Sequence, residues 1–236
     1  MTKTHRQIQE AYYSGTAARY DHLHSGEQPD EHDFALGFLS SCLQTFDAAS
    51  VLDVGSGTGR AVKFIAEMHP HIRVSGIEPV RALREQAYMK GIPEDCIIEG
   101  YGEKIPFPDQ SFDFVCEFGI LHHVPRPDLV VEEMLRVSRK GIFISDSNNF
   151  GQGGTIGRSA KQALDFFGLW RLFDYFRTRG KMYQISEGDG LFYSYSVFNN
   201  YRQIKKNCKS VHILNTMNAG INPYRTSGHI ALLGLK

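Results

Sequence analysis

Val51-Leu52-Asp53-Val54-Gly55-Ser56-Gly57-Thr58-Gly59-Arg60 compresses a strand, a glycine turn and a helix start into one short run. Val51, Leu52 and Val54 are apolar and mostly β-branched, as a strand covered on both faces requires. Gly55, Gly57 and Gly59 carry no Cβ, so the turn can take positive φ and a ligand can lie directly against the main chain. Ala61, Val62, Phe64, Ile65, Ala66 and Met68 then recur at helical spacing, and the free N–H groups at that helix start face whatever the glycines admit.

A dinucleotide fingerprint, G-x-G-x-x-G, seats a pyrophosphate at the helix N-terminus. Here the third glycine comes one residue sooner and Arg60 stands where the fingerprint has its last glycine. This G-x-G-x-G turn, with Asp53 inside the strand end, resembles motif I of the class I S-adenosylmethionine-dependent methyltransferases. The resemblance implies that Asp53, Gly55, Ser56, Gly57 and Gly59 hold the aminoacyl part of that cofactor. Ile72-Arg73-Val74-Ser75-Gly76-Ile77-Glu78 reads as the second strand, with Glu78 nineteen residues past Gly59 and Pro79 next to it. A carboxylate at that strand end can accept hydrogen bonds from both ribose hydroxyls of a nucleotide, whether adenosylmethionine or NAD.

The composition narrows the partners. Lys plus Arg equals Asp plus Glu at 26 each in 236 residues, so no global charge calls for nucleic acid, and a small acceptor is expected. Cys42, Cys96, Cys116 and Cys208 share no C-x-x-C spacing and read as reduced thiols, not as a zinc site. Met1-Thr2-Lys3-Thr4-His5-Arg6-Gln7 is polar and no run reaches the apolar length of a membrane span, so a cytoplasmic protein is expected.

The remaining segments extend the resemblance. Residues 5 to 24 place Ile8, Ala11, Tyr12, Ala18 and Tyr20 on a helical face broken near Ser14-Gly15. Ala18-Arg19-Tyr20-Asp21 looks like the A-x-x-Y-D segment that precedes many small-molecule methyltransferase cores, where it forms a lid, which makes Tyr12 and Tyr20 cofactor candidates. An acidic break from Pro29 to Asp33 precedes a helix over about Phe34 to Phe46. A further helix is predicted from about Val80 to Lys90 and a short third strand over Cys96 to Glu99.

Gly100-Tyr101-Gly102-Glu103-Lys104-Ile105-Pro106-Phe107-Pro108-Asp109-Gln110-Ser111-Phe112-Asp113 is similar to the G-D-A-E-x-L-P-F-x-D-x-S-F-D segment of the type 11 methyltransferases. There the Asp meets the adenine amino group; here Tyr101 replaces it, and a tyrosine cannot accept as a carboxylate does. Tyr101, Gly102 and Glu103 remain the adenine candidates. Phe114 to Phe118 is a buried fourth strand whose end, Glu117 and Phe118, lies where an open α/β sheet makes ligand contacts. Gly119 to Asp128 continues in the manner of the family's L-H-H-x-x-D segment. His122 or His123 is the candidate general base, with His123 favoured, since neutral imidazole is matched to pH near 7.

A helix around Leu129 to Val137 leads to a fifth strand, Ile142 to Asp146, whose end with Asn148 and Asn149 offers too few carboxylates for a metal site, so none is assigned. Gly151 to Gly190 is glycine-rich, then strongly aromatic and basic, with one helical face from Leu164 to Phe176. Its position between strands five and six makes it a cover for an apolar or aromatic acceptor, with surface attachment to membrane as the weaker alternative. A helix from Tyr193 to Asn207 and two strands, Ser210 to Asn215 and His229 to Leu235, close the chain.

The expected architecture is α/β: a doubly wound Rossmann-like seven-stranded sheet, strand seven antiparallel, with a helical insertion between strands five and six. It forms a single domain over 1-236, divided into an N-terminal helical lid (1-46), a cofactor core (47-146), a substrate cover (147-207) and a closing strand pair (208-236). The resemblance implies methyl transfer from S-adenosyl-L-methionine, leaving S-adenosyl-L-homocysteine, to O or N of a small molecule. A binding protein that keeps the cofactor without catalysis, and an NAD(P)-dependent oxidoreductase, are the alternatives.

Overall fold

The computed structural model of the protein describes residues 4–24, 30–217 and 220–236. Met1, Thr2 and Lys3, and Pro29 at the start of the acidic break, lie outside the described residues. In chain order the elements are α1 (His5–Thr16), α2 (Tyr20–His24), α3 (Glu31–Thr45), β1 (Ser50–Val54), α4 (Arg60–Met68), β2 (Arg73–Ile77), α5 (Arg81–Met89), β3 (Ile97–Ile98), β4 (Phe112–Phe118), α6 (Pro127–Val137) and β5 (Ser138–Ser147). Then come α7 (Thr155–Phe166), α8 (Trp170–Arg177), β6 (Tyr183–Ser186), β7 (Gly190–Tyr193), α9 (Tyr201–Asn207), β8 (Ser210–Asn215), α10 (Pro223–Thr226) and β9 (His229–Leu235).

Seven strands make one sheet in the order β3-β2-β1-β4-β5-β9-β8. Strands β1 to β5 pair in parallel, while β9 runs antiparallel to both β5 and β8 and lies between them. This is the expected doubly wound sheet with its last strand reversed.

Alternation along each strand feeds two cores, one per face. Val51, Phe114, Phe143 and Leu233 pack with Leu36, Leu39 and Leu43 of α3 and Ile65 of α4. Leu52, Val115, Ile142, Ile144 and Leu232 pack with Val130, Val131 and Met134 of α6 and Ile204 of α9. Covering both faces explains the near-continuous apolar runs of β1, β4 and β5. Parallel pairing puts the carboxyl ends of β1 to β5 at one edge, where ligands of such sheets bind.

Three local expectations are corrected. α1 runs unbroken through Ser14-Gly15 and the break falls at the 3₁₀ turn Ala17–Arg19. The apolar face from Leu164 to Phe176 is two helices, because Gly168 takes φ of +69° between α7 and α8. Only Tyr201–Asn207 of the helix expected from Tyr193 is α-helical; Tyr193 belongs to a hairpin in which Tyr183 faces Tyr193 and Ser186 faces Gly190. No helix among the described residues is long and apolar enough to cross a membrane.

Two glycines make the packing testable. Gly59 has φ of +82°, and a Cβ there would meet Ile92 Cδ1 at 2.2 Å, whereas Gly37 is an exposed helical position of α3 with nothing within 4 Å. Gly59→Ala should destabilise the protein by about 1–3 kcal/mol, and Gly37→Ala should stabilise it by about 0.5–1 kcal/mol. Urea unfolding of the two variants checks the pair; equal effects would contradict the packing described.

Candidate active site

The turn after β1 closes onto the end of β2: Gly55 N and Ser56 N both donate to Ile77 O, at 2.8 and 3.0 Å. This sets Gly57 N to donate to Glu78 Oε2 at 3.0 Å, while Val80 N donates to Glu78 Oε1 at 2.8 Å. Glu78 is buried, and burial pushes its carboxyl up to about 7 against the pull of these two N–H groups. Asp53 is buried too, its Oδ1 accepting the weak thiol donor of Cys116 at 3.8 Å, and burial pushes its carboxyl up to about 7. A carboxyl so placed favours ionisation as soon as a cation arrives.

Two cavities meet over this edge. One of about 740 Å³ is bordered by Gly57, Glu78, Pro79, Tyr101, Gly102 and Glu103, and roofed by Arg6, Gln9, Glu10 and Tyr13 of α1. The other, of about 900 Å³, is bordered by Asp53, Ser56, Arg60, His122, Asp189, His32 and His229. Tyr13, Tyr20, Gly55, Phe118, Gly119 and His123 border both.

Most residues singled out from sequence therefore converge, and three do not. Glu117 is fully buried beneath the edge, where its carboxylate accepts from Ile120 N at 2.9 Å and Ser145 N at 3.1 Å. Gly59 is a packing position against Ile92. Tyr12 turns away and donates to the Glu187 carbonyl at 2.5 Å, leaving Tyr13, one helix position on, to face the cavities. Tyr101 does line the first cavity, but its hydroxyl donates to Glu10 Oε1 at 3.1 Å and the Arg6 guanidinium lies 3.9 Å over its ring, so it is tied to α1.

The two histidines share a 3₁₀ turn, Leu121–His123, and have opposite characters. His122 Nδ1 donates to Asp146 Oδ1 at 2.6 Å, and its Nε2 lies 3.4 Å from Asp189 Oδ2. Burial opposes a charge there, but the two carboxylates overcome it and raise His122 to about 10, an imidazolium near neutrality. Asp146, fully buried, is brought down to about 2 by the same cation in spite of its burial.

His123 Nδ1 lies 2.7 Å from Leu191 O. The same nitrogen also lies 3.0 Å from the Gln9 amide Nε2, which only donates; with the proton directed at the nearer carbonyl, which only accepts, the ring Nε2 keeps its lone pair. Nε2 then accepts from the Tyr13 hydroxyl at 3.0 Å, with Asp189 Oδ1 at 3.4 Å. Burial and the charge of His122 lower His123, so it is neutral. A neutral imidazole at the junction of two cavities, beside a carboxylate, is arranged to accept a proton from a ligand that takes the place of the Tyr13 hydroxyl at Nε2.

His122, His123 and Asp189 are the group of metal-ligating side chains among the described residues close enough to share an ion, their ligand atoms lying within 4.8 Å of one another. Their pairing as a cation between carboxylates accounts for these positions, and an ion would have to displace the His122 proton.

Asp189, in the β6–β7 turn, and Tyr13 are the site residues that sequence reasoning missed. Gly188-Asp189-Gly190 reads in the sequence as a hinge or turn of the cover segment, and the turn is there; what the sequence does not show is that it folds back onto the histidines. His32 and His229 were also unforeseen. Their rings lie 4.5 Å apart, burial lowers both, and His229 Nε2 is buried with no protein hydrogen-bond partner.

Comparison with known proteins agrees with the fold. Residues 52–145 match the family model for a methyltransferase domain. Phosphatidylethanolamine N-methyltransferase of Cereibacter sphaeroides is 28% identical over 142 residues, which is 50% of this chain and 63% of that protein. Ubiquinone biosynthesis O-methyltransferase of Klebsiella pneumoniae is 30% identical over 121 residues, 50% of each. The match thus spans less than two thirds of either relative. Magnesium protoporphyrin IX methyltransferase of Synechocystis PCC 6803, solved with bound S-adenosylmethionine, superposes with a TM-score of 0.63 over 100% of this chain and 98% of that one at 12% identity, a likeness of fold.

The charge arrangement fixes how stability depends on pH. His122 is raised in the folded state, so its contribution is complete below about pH 6.5 and lost toward its folded value of about 10. Asp53 and Glu78, raised to about 7, favour the folded state at acid pH and cease to do so as pH rises through that value. Buried, neutral His32, His123 and His229 act in the opposite sense below about pH 6.5, so the fall is read above it: from about pH 7 to about pH 9 the unfolding free energy without ligand should drop by about 2 kcal/mol or more, and His122→Asn should flatten it. Urea unfolding across that range checks it; stability that rises with pH would contradict the assignment.

Proposed function

We propose that this chain, a class I S-adenosylmethionine-dependent methyltransferase by its domain and its fold, methylates a hydroxyl of a small molecule seated in the 900 Å³ cavity. The observation that carries the reading is the neutral His123, with its Nε2 lone pair at the junction of the two cavities. An amine acceptor needs no such base, while a hydroxyl gains from one.

The chain's own residues fit the cofactor. Glu78, held by Gly57 N and Val80 N, presents its carboxylate to the ribose hydroxyls. Asp53, buried without an ion pair among the described residues, suits the aminoacyl ammonium. Tyr101 acts through α1, its hydroxyl and ring holding Glu10 and Arg6 over the cofactor cavity where the type 11 segment has an adenine-binding Asp. When bound, S-adenosylmethionine supplies a methyl carbon activated by its sulfonium.

His123 Nε2 takes the acceptor's hydroxyl proton as the oxygen attacks, and Asp189 stabilises the imidazolium formed. His122, already charged, fixes Asp189 and the turn. His229 Nε2 offers a hydrogen bond to a polar group of the acceptor. Holding both reactants in line across the junction is worth about 7–11 kcal/mol.

Asp53→Ala and Glu78→Ala should each weaken S-adenosylhomocysteine binding at least tenfold, about 1.4 kcal/mol; unchanged affinity in calorimetry would remove these residues from the site. With an acceptor found by screening hydroxylated compounds against a labelled methyl donor, His123→Ala should lower kcat by about 10²–10⁴ and leave cofactor affinity unchanged. Chelation by EDTA should leave the rate unaltered. Turnover that survives His123→Ala would refute the base, and no methylation of any compound would favour the binding-only alternative.

A further inference from the structure

α8 is turned inside out relative to a helix that faces water. Its polar Asp174 is 3% exposed and Trp170 8%, while Leu172 is 55% exposed and Phe176 70%. Leu169, Leu172, Phe173 and Phe176 stand at i, i+3, i+4 and i+7, so they form one outward stripe. α7 repeats the pattern, with Ile156, Ala160, Ala163 and Phe167 on one exposed line and Phe166 beside it. Asp174 is held inward by Arg177 and by the Ser194 hydroxyl, which donates to it at 3.0 Å, so the inversion is built in by specific bonds. Clustered aromatic side chains at this exposure mark a surface that meets something apolar.

Charge identifies the occupant. Residues 151–182 carry Arg158, Lys161, Arg171, Arg177, Arg179 and Lys181 against Asp165 and Asp174, in a chain whose total charges balance at 26 each. Arg171, Arg179 and Lys181 are exposed and make no ion pair among the described residues. A second copy of the chain meeting this face symmetrically would set these cations against one another. An anionic bilayer surface accepts both features: Phe and Leu enter the interface and Arg and Lys meet the headgroups.

We propose that the α7–α8 face docks on an anionic membrane surface. Through residues off that exposed line, α7 packs on the rim of the second cavity: Lys161 donates to Asn149 O, Gln162 Nε2 donates to Phe150 O at 2.9 Å, and the adjoining Gly151, Gln152 and Gly153 line that cavity. Docking there would bring the rim of that cavity close to the bilayer, where an amphiphilic acceptor is held. This consequence rests on the methyl-transfer reading, whereas the docking does not.

The test is cosedimentation of the full chain with vesicles of phosphatidylcholine alone or with about one third phosphatidylglycerol, without methyl donor. The wild-type protein should partition at least tenfold more strongly onto the anionic vesicles and be released as salt is raised. Phe173→Ser with Phe176→Ser, both exposed, should reduce that binding at least tenfold while S-adenosylhomocysteine affinity and circular dichroism stay unchanged. Equal binding by wild type and double variant, no binding to either vesicle, or a wild-type dimer that the double variant makes monomeric would overturn the proposal.

Discussion

Four carboxylates buried along one edge of the sheet set the terms for everything around them: Asp53 on β1, Glu78 after β2, Glu117 on β4 and Asp146 on β5. A carboxylate removed from water is costly unless it is hydrogen-bonded or paired. The chain answers them in three ways. Glu78 and Glu117 each take two main-chain N–H groups, which dictates the turn after β1 and the path of the loop after β4. Asp146 takes the imidazolium of His122 and the N–H of Leu121 at 2.7 Å. Asp53 has the weakest compensation of the four, and it opens to the larger cavity.

From this follows the division between two adjacent histidines. Asp146 and Asp189 hold a proton on His122; burial and that charge together keep His123 neutral, and the carbonyl of Leu191, the nearer of two partners, draws the proton of His123 to Nδ1. The arrangement needs three remote segments: α1 for Tyr13, the turn after β4 for the histidines, and the β6–β7 hairpin for Asp189 and Leu191. Gln9 closes the circuit by accepting from Leu191 N at 2.7 Å, so α1 and the hairpin are ordered together over the edge.

The parallel core was legible because both faces of the sheet are covered: β1, β4 and β5 had to be apolar runs, and glycines had to follow β1. Asp53 and Glu78 were legible for the same reason, as acids at the ends of such runs. The sequence points to Tyr12 where the structure puts Tyr13 at the cavities, because helix phase cannot be set to one residue without knowing what the helix packs on. Glu117 was placed correctly at a strand end, yet its side chain serves the main chain below the cavity, which strand position alone does not reveal. Asp189 stands 66 residues from His123, and no local pattern carries a contact of that range. Tyr101 was visible as a departure, but its partners Arg6 and Glu10 lie on a helix whose docking only the tertiary structure shows.

The central claim is that the carboxyls of Asp53 and Glu78, held up to about 7 by burial, are completed by a ligand that brings an ammonium and two ribose hydroxyls. Titration calorimetry with S-adenosylhomocysteine at pH 7, repeated in buffers of differing ionisation enthalpy, measures this directly through the protons exchanged. Binding with release of about half to one proton per ligand is the predicted result. Binding with no release, with proton uptake, or no binding at all would contradict it.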